Sequence, residues 1–396
     1  MLNNVHGLLF TQSNIYNLRE LTEPRCLSSI PFGGRFRMID FMLSNLVNAG
    51  VSDVGVLLLA KYKSLLDHLG SGKDWDLARH SGGLHLLPPY SLTNGENPRM
   101  FRGHMDTLSD ILPYLREIRQ EYVLIADGDI ALNLDLEDVF QQHMDNHADM
   151  TLVCSPRYTG DPAASVYFKV GDDQTITDVI QCPSQPTGVE YLNIFLLSKE
   201  LLLRLVTGCA THRLYSFRND LLPKLHHHLK LSAYAYDGFV TRCTSVASYY
   251  DSSMALLQPE VRRDLFCLER PIRTRERNEP SSYYAPGSVC RNSLVADGCI
   301  IEGTVENSII FHNVRVGKGA VIRDSILFQN TVIGTDAQLR CVITDKDVTV
   351  GAGAVLNGAA HHPFVLAKGS TVSPFPPPPH SRKAGVYIQF SFVGFE

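Results

Sequence analysis

The sequence lacks any hydrophobic run long enough to cross a membrane. Its longest apolar stretches, such as Val54–Ala60, are far shorter than the ~20 residues that a transmembrane helix needs. The first residues, Met1–His6, have neither the basic start nor the apolar centre of a signal peptide. The pattern therefore predicts no membrane partner and no secretion.

Paired cysteine motifs and basic clusters are also absent. The nine cysteines are scattered, and no two of them form a C-x-x-C pair. This excludes a disulfide framework and a zinc ribbon, and it predicts reduced thiols in the cytoplasm. Lys and Arg (36) are outnumbered by Asp and Glu (41), which gives a net charge of −5. A broad nucleic-acid-binding face is therefore not expected, although this charge is compatible with a local anion site.

The chain does have enough apolar residues for more than one core. Of its 396 residues, 44% are hydrophobic and 19% are charged, which is typical of ordered globular proteins. At ~150 residues per domain, the length predicts two or three domains.

Residues 1–256 alternate short apolar runs with helical patterns. The patterns predict strands at Val5–Phe10, Val54–Ala60, Tyr122–Ala126 and Met150–Ser155, and helices at Arg37–Val47 and Leu136–His147. Such alternation predicts an α/β domain of Rossmann-like type with a mixed, mostly parallel sheet. Sheets of this kind bind ligands at the carboxyl ends of their strands.

Residues 290–372 contain an internal repeat. Similar units begin at Val316, Ile333 and Val350, and each carries two aliphatic residues six positions apart. Three such steps build one turn of a left-handed parallel β-helix, so the spacing predicts about four coils between residues 290 and 357. A repeat of this kind indicates architecture and not activity.

Two further segments flank the repeat. Residues 257–289 are rich in Arg and Pro, which predicts an extended connector that is either a solvated linker or part of an anion site. Residues 373–396 combine a proline run, Pro374–Pro379, with an apolar end, Gly385–Phe395. The prolines predict a stiff polyproline helix, and the apolar end predicts a strand that pairs with a sheet edge or with another subunit.

A series of local motifs extends through nearly the whole chain. The motifs are Ile30–Gly50 (IPFGGRFRMIDFMLSNLVNAG), Phe101–Gly103 with Asp106, Glu121–Asp129, Asp220–Pro223 and Pro271–Thr274. In sequence and order they resemble the bacterial glucose-1-phosphate adenylyltransferase family, also called ADP-glucose pyrophosphorylase. The resemblance implies a nucleotidyltransferase domain followed by a left-handed β-helix. It also implies a role in glycogen biosynthesis, where ATP and glucose 1-phosphate give ADP-glucose and pyrophosphate.

The chain departs from this family at the positions that the resemblance marks as catalytic. Catalytic members have a glycine-rich phosphate loop with an Arg, a Lys-Pro pair, a Lys on the sugar phosphate and two Asp that hold Mg²⁺. The matching positions here are Asn17 for the loop Arg, Leu27 for the Lys of the pair, Cys182 for the sugar-phosphate Lys and Arg242 for the second metal Asp. Asp129 alone of the metal pair is retained.

These departures predict little or no catalysis. The loop positions contain Ile15 and Tyr16, which cannot readily adopt the left-handed conformations that glycine allows. A cation at Arg242 would repel Mg²⁺, and each lost donor or charge reduces the rate by ~10²–10³. The chain is therefore expected to resemble the non-catalytic, regulatory D-type subunit. Magnesium is expected only if residual activity exists.

The resemblance also implies partners. A regulatory subunit would assemble with a catalytic sister chain into a hetero-oligomer, for which the family suggests a tetramer. Two other functions stay open on the sequence alone. An active nucleotidyltransferase with a divergent phosphate loop would use Asp129, Arg25 and backbone amides. A hexapeptide-type acyltransferase would need a His base, for which His312 is the internal candidate in the regular coils.

Several residues have two interpretations each. Arg25 and Arg37 match positions of the family's anionic effector site, which would take a sugar phosphate or a nucleotide, but they could instead form ion pairs between domains or subunits. Asp106 is either a vestigial substrate-side residue or a helix cap. Asp129 is either a vestigial metal ligand or a turn residue. His226–His228 is predicted to be a surface feature, because three consecutive residues face different sides of a helix.

Overall fold

The computed structural model describes residues 1–11, 18–88, 103–157, 165–374 and 388–391. In the N-terminal half the strands are β1 (Val5–Phe10), β2 (Pro31–Phe32), β3 (Phe36–Arg37), β4 (Asp53–Leu57), β5 (Gly83–Leu87), β6 (Tyr122–Asp127), β7 (Ile130–Ala131), β8 (Met150–Ser155), β9 (Val166–Val170), β10 (Ile176–Gln181), β11 (Val189–Ser198), β12 (Leu231–Ala235) and β13 (Thr241–Arg242). The helices are α1 (Met38–Asn48), α2 (Lys63–Leu69), α3 (His104–Asp110), α4 (Leu112–Glu117), α5 (Leu136–Asp145), α6 (Lys199–His212), α7 (Leu222–Leu225), α8 (Val246–Ala255) and α9 (Pro259–Leu265).

Nine of these strands form one mixed, mostly parallel sheet, which confirms the predicted fold class. The order is β10-β9-β11-β6-β1-β4-β5, with β8 pairing to both β11 and β12. The central strand β1 is parallel to β4 and β6, whereas β11 is antiparallel to β6. The predicted strands and helices of this half agree with the observed ones to within a few residues at their ends.

Both faces of the sheet are covered by apolar cores. Because alternate residues of a strand point to opposite faces, Val5 and Leu9 of β1 join one core while Leu8 and Phe10 join the other. The first core contains residues of α1 and α5, and the second contains residues of α3, α4 and α6. Burial on both faces explains why these strands appear in the sequence as unbroken apolar runs.

The C-terminal half is a left-handed parallel β-helix, as predicted. Its strands are β14 (Tyr283–Tyr284), β15 (Val289–Arg291), β16 (Leu294–Val295), β17 (Ile300–Ile301), β18 (Thr304–Glu306), β19 (Ile309–Ile310), β20 (Arg315–Val316), β21 (Val321–Arg323), β22 (Ile326–Leu327), β23 (Val332–Ile333), β24 (Gln338–Arg340), β25 (Val342–Thr344), β26 (Thr349–Val350), β27 (Val355–Asn357), β28 (Phe364–Leu366), β29 (Thr371–Pro374) and β30 (Ile388–Ser391). They stack in three sheets, and the inward aliphatic residues form one continuous core.

The register of the β-helix follows the sequence repeat. Arg315 pairs with Val332, and Val332 pairs with Thr349. The region predicted as an extended connector, residues 257–289, contains helix α9 and the first β-helix strand, β14. At the other end, β30 pairs antiparallel with β29. Residues 375–387 and 392–396, which include most of the predicted polyproline segment and parts of the predicted tail strand, lie outside the described residues.

A third core joins the two halves. Phe311 and Phe328 of the β-helix pack in it with Tyr249 and Leu256, at α8 and its C-terminal end. The Tyr249 hydroxyl donates a hydrogen bond to the Pro31 carbonyl at 2.7 Å. The Tyr250 hydroxyl donates to the Asp324 carbonyl at 2.6 Å. The apolar contacts and the Tyr250–Asp324 hydrogen bond hold the two halves together, whereas the Tyr249–Pro31 bond lies within the N-terminal half. Among the described residues, no helix is both long and apolar enough to cross a bilayer.

Candidate functional site

Two aspartates lie at the carboxyl end of β6, beside the end of β1. Asp127 is the last residue of β6 and Asp129 follows after Gly128. Both carboxylates are buried, with 2% and 3% of the residue exposed. The Gly128 amide donates to the Phe10 carbonyl at 2.7 Å, which ties the turn to β1. The aspartates therefore occupy the sheet edge at which ligands of this fold class bind.

Arg242 lies between these two carboxylates. Strand β13 pairs antiparallel with β7 and so places Arg242 opposite Ile130. Arg242 Nη1 donates to Asp127 Oδ2 at 2.8 Å and lies 3.5 Å from Asp129 Oδ1. Arg242 Nη2 donates to the Leu192 carbonyl at 3.0 Å. The structure thus brings together two of the residues singled out from sequence, Asp129 and Arg242, and adds Asp127.

The charges of this cluster are nearly balanced. Burial alone would raise the pKa of Asp127. The contacts with Arg242 and His104 have the larger combined effect and hold that pKa well below its usual range. His104 Nε2 lies 3.3 Å from Asp127 Oδ1. Burial has the larger effect at Asp129 and, with repulsion from Asp127, raises its pKa to about 6. Asp127 is therefore the ionised partner of Arg242, whereas Asp129 holds a proton up to nearly neutral pH.

A magnesium ion does not fit these residues. Mg²⁺ requires near-octahedral oxygen ligands at ~2.1 Å, but the space between Asp127 and Asp129 holds a guanidinium that stays protonated. Within the described ranges, no group of three or more Asp, Glu, His or Cys residues is placed to hold a metal, and His226–His228 is no exception. The residues present therefore support no metal-assisted step of nucleotidyl transfer.

The other predicted catalytic positions supply no replacement cation. Leu27 is buried in a 3₁₀ turn and belongs to the third core. Cys182 is exposed just after β10 and has a left-handed φ of 44°. Asp106 lies in the first turn of α3, and Asn17 lies outside the described residues. Leu27 and Cys182 thus carry no positive charge where the family resemblance implies one.

The candidate acyltransferase base is enclosed in the protein. His312 is 3% exposed, and its Nδ1 lies 3.9 Å from Glu279 Oε2 of the segment that precedes β14. Burial lowers the pKa of His312, and the nearby Arg277 lowers it further. The imidazole thus packs against the preceding segment and is not presented at an open coil surface.

A second polar cluster lies between the two halves. Arg25 Nη2 donates to Asp345 Oδ1 at 2.8 Å, and both side chains are buried, at 2% and 0% exposed. Arg37, the last residue of β3, directly precedes α1 and donates from Nη1 to Ser64 Oγ at 3.0 Å. Its backbone amide donates to Asp40 Oδ2 at 2.9 Å. The Arg25–Asp345 pair thus links the N-terminal half to a β-helix corner 320 residues away in the sequence.

Lys346 adds a further cation that the sequence reasoning missed. Burial, with repulsion from Arg37 and Arg25, lowers the pKa of Lys346 to about 6. Burial, helped by Arg25 and Arg277, also lowers the pKa of Arg37 to about 10. This cluster therefore contains more basic groups than counter-charges, which is the electrostatic condition for binding an anion. The available sequence signal was Asp345, which occupies the position that Phe328 and Phe311 hold one and two coils earlier.

Asp129→Asn is expected to flatten the dependence of stability on pH. The folded pKa of Asp129, about 6, lies above the usual 3.8, so protonated Asp129 stabilises the fold at low pH. This contribution decreases by at most about 3 kcal/mol as the pH rises from about 4 to above 6. Urea unfolding of wild type and variant across this range measures it. Asp172→Asn, at an exposed turn, is the control, and parallel profiles for wild type and Asp129→Asn would contradict the assignment.

Comparison with known proteins covers both halves of the chain. Residues 16–255 match the nucleotidyl transferase family, and residues 284–362 match the GlmU-like C-terminal hexapeptide family. The chain is 38% identical to glycogen biosynthesis protein GlgD of Geobacillus stearothermophilus, over 93% of this chain and 98% of that protein. It is 35% identical to GlgD of Bacillus subtilis (strain 168), over 81% and 83%. It is also 31% identical to glucose-1-phosphate adenylyltransferase of G. stearothermophilus, over 77% and 80%.

Proposed function

The chain belongs to the glucose-1-phosphate adenylyltransferase family and resembles its D-type members, and we propose that it is a regulatory subunit without turnover of its own. Its similarity to proteins named for glycogen biosynthesis supports a role in that process. All nine cysteines are free thiols in the structure, which is compatible with the cytoplasmic location proposed here.

The observation that carries this proposal is the position of Arg242. Nucleotidyl transfer concentrates negative charge on the triphosphate and needs a cation that contacts the reacting phosphates. Here the buried guanidinium is committed to Asp127, Asp129 and the Leu192 carbonyl. It neutralises the carboxylates that would recruit a metal and has little freedom to bind substrate. The site therefore favours a subunit that retains the nucleotidyltransferase fold but does not catalyse nucleotidyl transfer.

We propose that the second cluster is where this subunit acts as a regulator. Arg25, Arg37 and Lys346 lie at the boundary between the two halves and repel one another. A bound sugar phosphate or nucleotide would restore the charge on Lys346 and relieve that repulsion. The partner is proposed to be a catalytic subunit of the same family, in a hetero-oligomer that the family suggests is a tetramer.

Reconstitution with a catalytic subunit from the same organism tests the proposal. The two chains are expected to co-elute in size-exclusion chromatography, and the complex should differ from the catalytic subunit alone in KM or in its response to inorganic phosphate. The Arg37→Gln, Lys346→Gln double variant should keep the complex and lose the altered phosphate response. Lys318→Gln, at an exposed β-helix turn outside the cluster, is the matched control. Separate elution with unchanged kinetics would contradict a regulatory role.

A further inference from the structure

The first coil of the β-helix, residues 283–298, is open at its outer end. Strands β14, β15 and β16 each lie at the edge of one of the three sheets, and no described residue adds a strand beyond them. At the other end of the β-helix, β30 extends one sheet past β29. A solenoid normally ends in a capping unit that covers its core, so the open first coil points to a cover from outside the chain.

The inward-facing side chains of this coil are exposed. Tyr284 lies in register with Ile301 of the next coil, and both belong to the same inward column. Cys290 lies in register with Val305 in the same way. Ile301 and Val305 are 0% exposed, whereas Tyr284 is 46% exposed. Cys290 is also exposed, and the third inward residue, Val295, is only partly buried. The end of the coil is therefore an apolar surface of the kind found at interaction sites.

The backbone of the first coil is also placed for strand pairing. The Tyr283 amide donates to the Cys299 carbonyl of the next coil, and the Ala285 amide donates to the Ile301 carbonyl. Because alternate residues of an edge strand bond to its single neighbour, the Tyr284 amide between them faces the open side. Proteins commonly protect such free edges with Lys or Pro. The strands β14, β15 and β16 contain neither residue, which favours an edge that a partner covers.

We propose that this open end binds the same end of a second copy of the chain. The surface consists of three strand edges around an apolar centre, and a second first coil presents edges and apolar side chains in the same arrangement. A two-fold axis between the two coils places their edge strands face to face and antiparallel. Residues 283–298 contain one cation, Arg291, and one anion, Asp297, so the two copies meet without an excess of like charge. The inference uses the β-helix alone and is independent of the function proposed above.

Size-exclusion chromatography of the purified full chain, with light scattering to measure mass, tests this interface. The chain alone should elute as a dimer, at twice the 44.0 kDa of one copy. Tyr284→Lys places an unpaired charge at the centre of the interface, so it should weaken dimerisation about a hundredfold or more. Val332→Lys is the matched control, because Val332 faces outward on the flank of the same sheet and is 39% exposed. It should keep the dimer affinity within about twofold.

A wild-type chain that is monomeric at micromolar concentrations would overturn the proposal, and so would a folded Tyr284→Lys variant that dimerises like wild type. If Tyr284→Lys does not fold, Cys290→Lys provides the second variant and should have the same effect. Hydrogen exchange gives an independent readout, because the amides of Tyr284 and Val295 should exchange more slowly in the dimer than in the monomeric variant. Equal exchange would place the contact elsewhere. A chain that is monomeric alone, and loses a catalytic subunit on Tyr284→Lys, would assign this end to that subunit instead of a second copy.

Discussion

Replacing Arg242 with leucine is expected to lower the free energy of unfolding by about 3–5 kcal/mol, the usual effect of removing one partner from a buried ion pair. The variant would leave Asp127 and Asp129 buried without the guanidinium that lies 2.8 Å from one and 3.5 Å from the other. Asp127 would keep its contacts with His104 Nε2 at 3.3 Å and Asn193 Nδ2 at 2.7 Å, but both carboxyl groups would lose the charge that favours their ionised forms. The loss should therefore be larger in alkaline than in mildly acidic buffer.

Urea unfolding of three variants distinguishes the loss of the buried ion pair from the effect of replacing an exposed arginine. Arg263→Leu is the control, because its side chain is 78% exposed and contacts the exposed Glu260, and its effect should stay within about 0.5 kcal/mol. Adding Asp127→Asn to Arg242→Leu should recover part of the lost stability, since one buried charge is removed with its partner. Equal stability of Arg242→Leu and wild type would show that the guanidinium does not neutralise the aspartates.

Arg25→Leu is the second substitution with a large expected effect. It removes the partner of Asp345, whose carboxylate is fully buried, so the free energy of unfolding should again decrease by about 3–5 kcal/mol. The ion pair joins the two halves of the molecule, and its loss should therefore also loosen their packing. Urea unfolding measures the first effect, and hydrogen exchange of the amides around Asp345 measures the second.

The control for Arg25 is an exposed arginine of the β-helix. Arg291 is 74% exposed on its side chain and lies 3.7 Å from Glu306, so Arg291→Leu should change stability by no more than about 1 kcal/mol. The double variant Arg25→Leu, Asp345→Asn should be more stable than Arg25→Leu alone. If Arg25→Leu behaves like Arg291→Leu, the buried pair does not hold the two halves together.

Local sequence patterns were sufficient for most of the fold. Strand Val5–Phe10 was predictable because a strand buried on both faces must be apolar throughout. The β-helix was predictable because its register, Arg315 to Val332 to Thr349, is a repeat in the sequence itself. Helix α9 was missed because the arginines and prolines of residues 257–289 suggested an extended connector. Pro259, at the first turn of this helix, was in fact a helix-start signal.

The polar clusters were less predictable because they depend on pairings between distant residues. Arg242 was located by its motif position, but its partner Asp127 is 115 residues away in the sequence. Nothing local to either residue indicates that the two side chains meet. Lys346 was missed for the same reason, since its basic neighbours Arg25 and Arg37 belong to the other half of the chain. Tertiary packing determines these partners, and one sequence does not reveal that packing.

The most direct test of the account is ADP-glucose formation by the purified chain alone. The assay uses saturating ATP, glucose 1-phosphate and Mg²⁺, with a catalytic member of the family as the positive control. With Arg242 between Asp127 and Asp129, no product above background is expected. Magnesium-dependent turnover that Asp129→Asn abolishes would contradict the account, because it would show that the site still holds a metal and still performs nucleotidyl transfer.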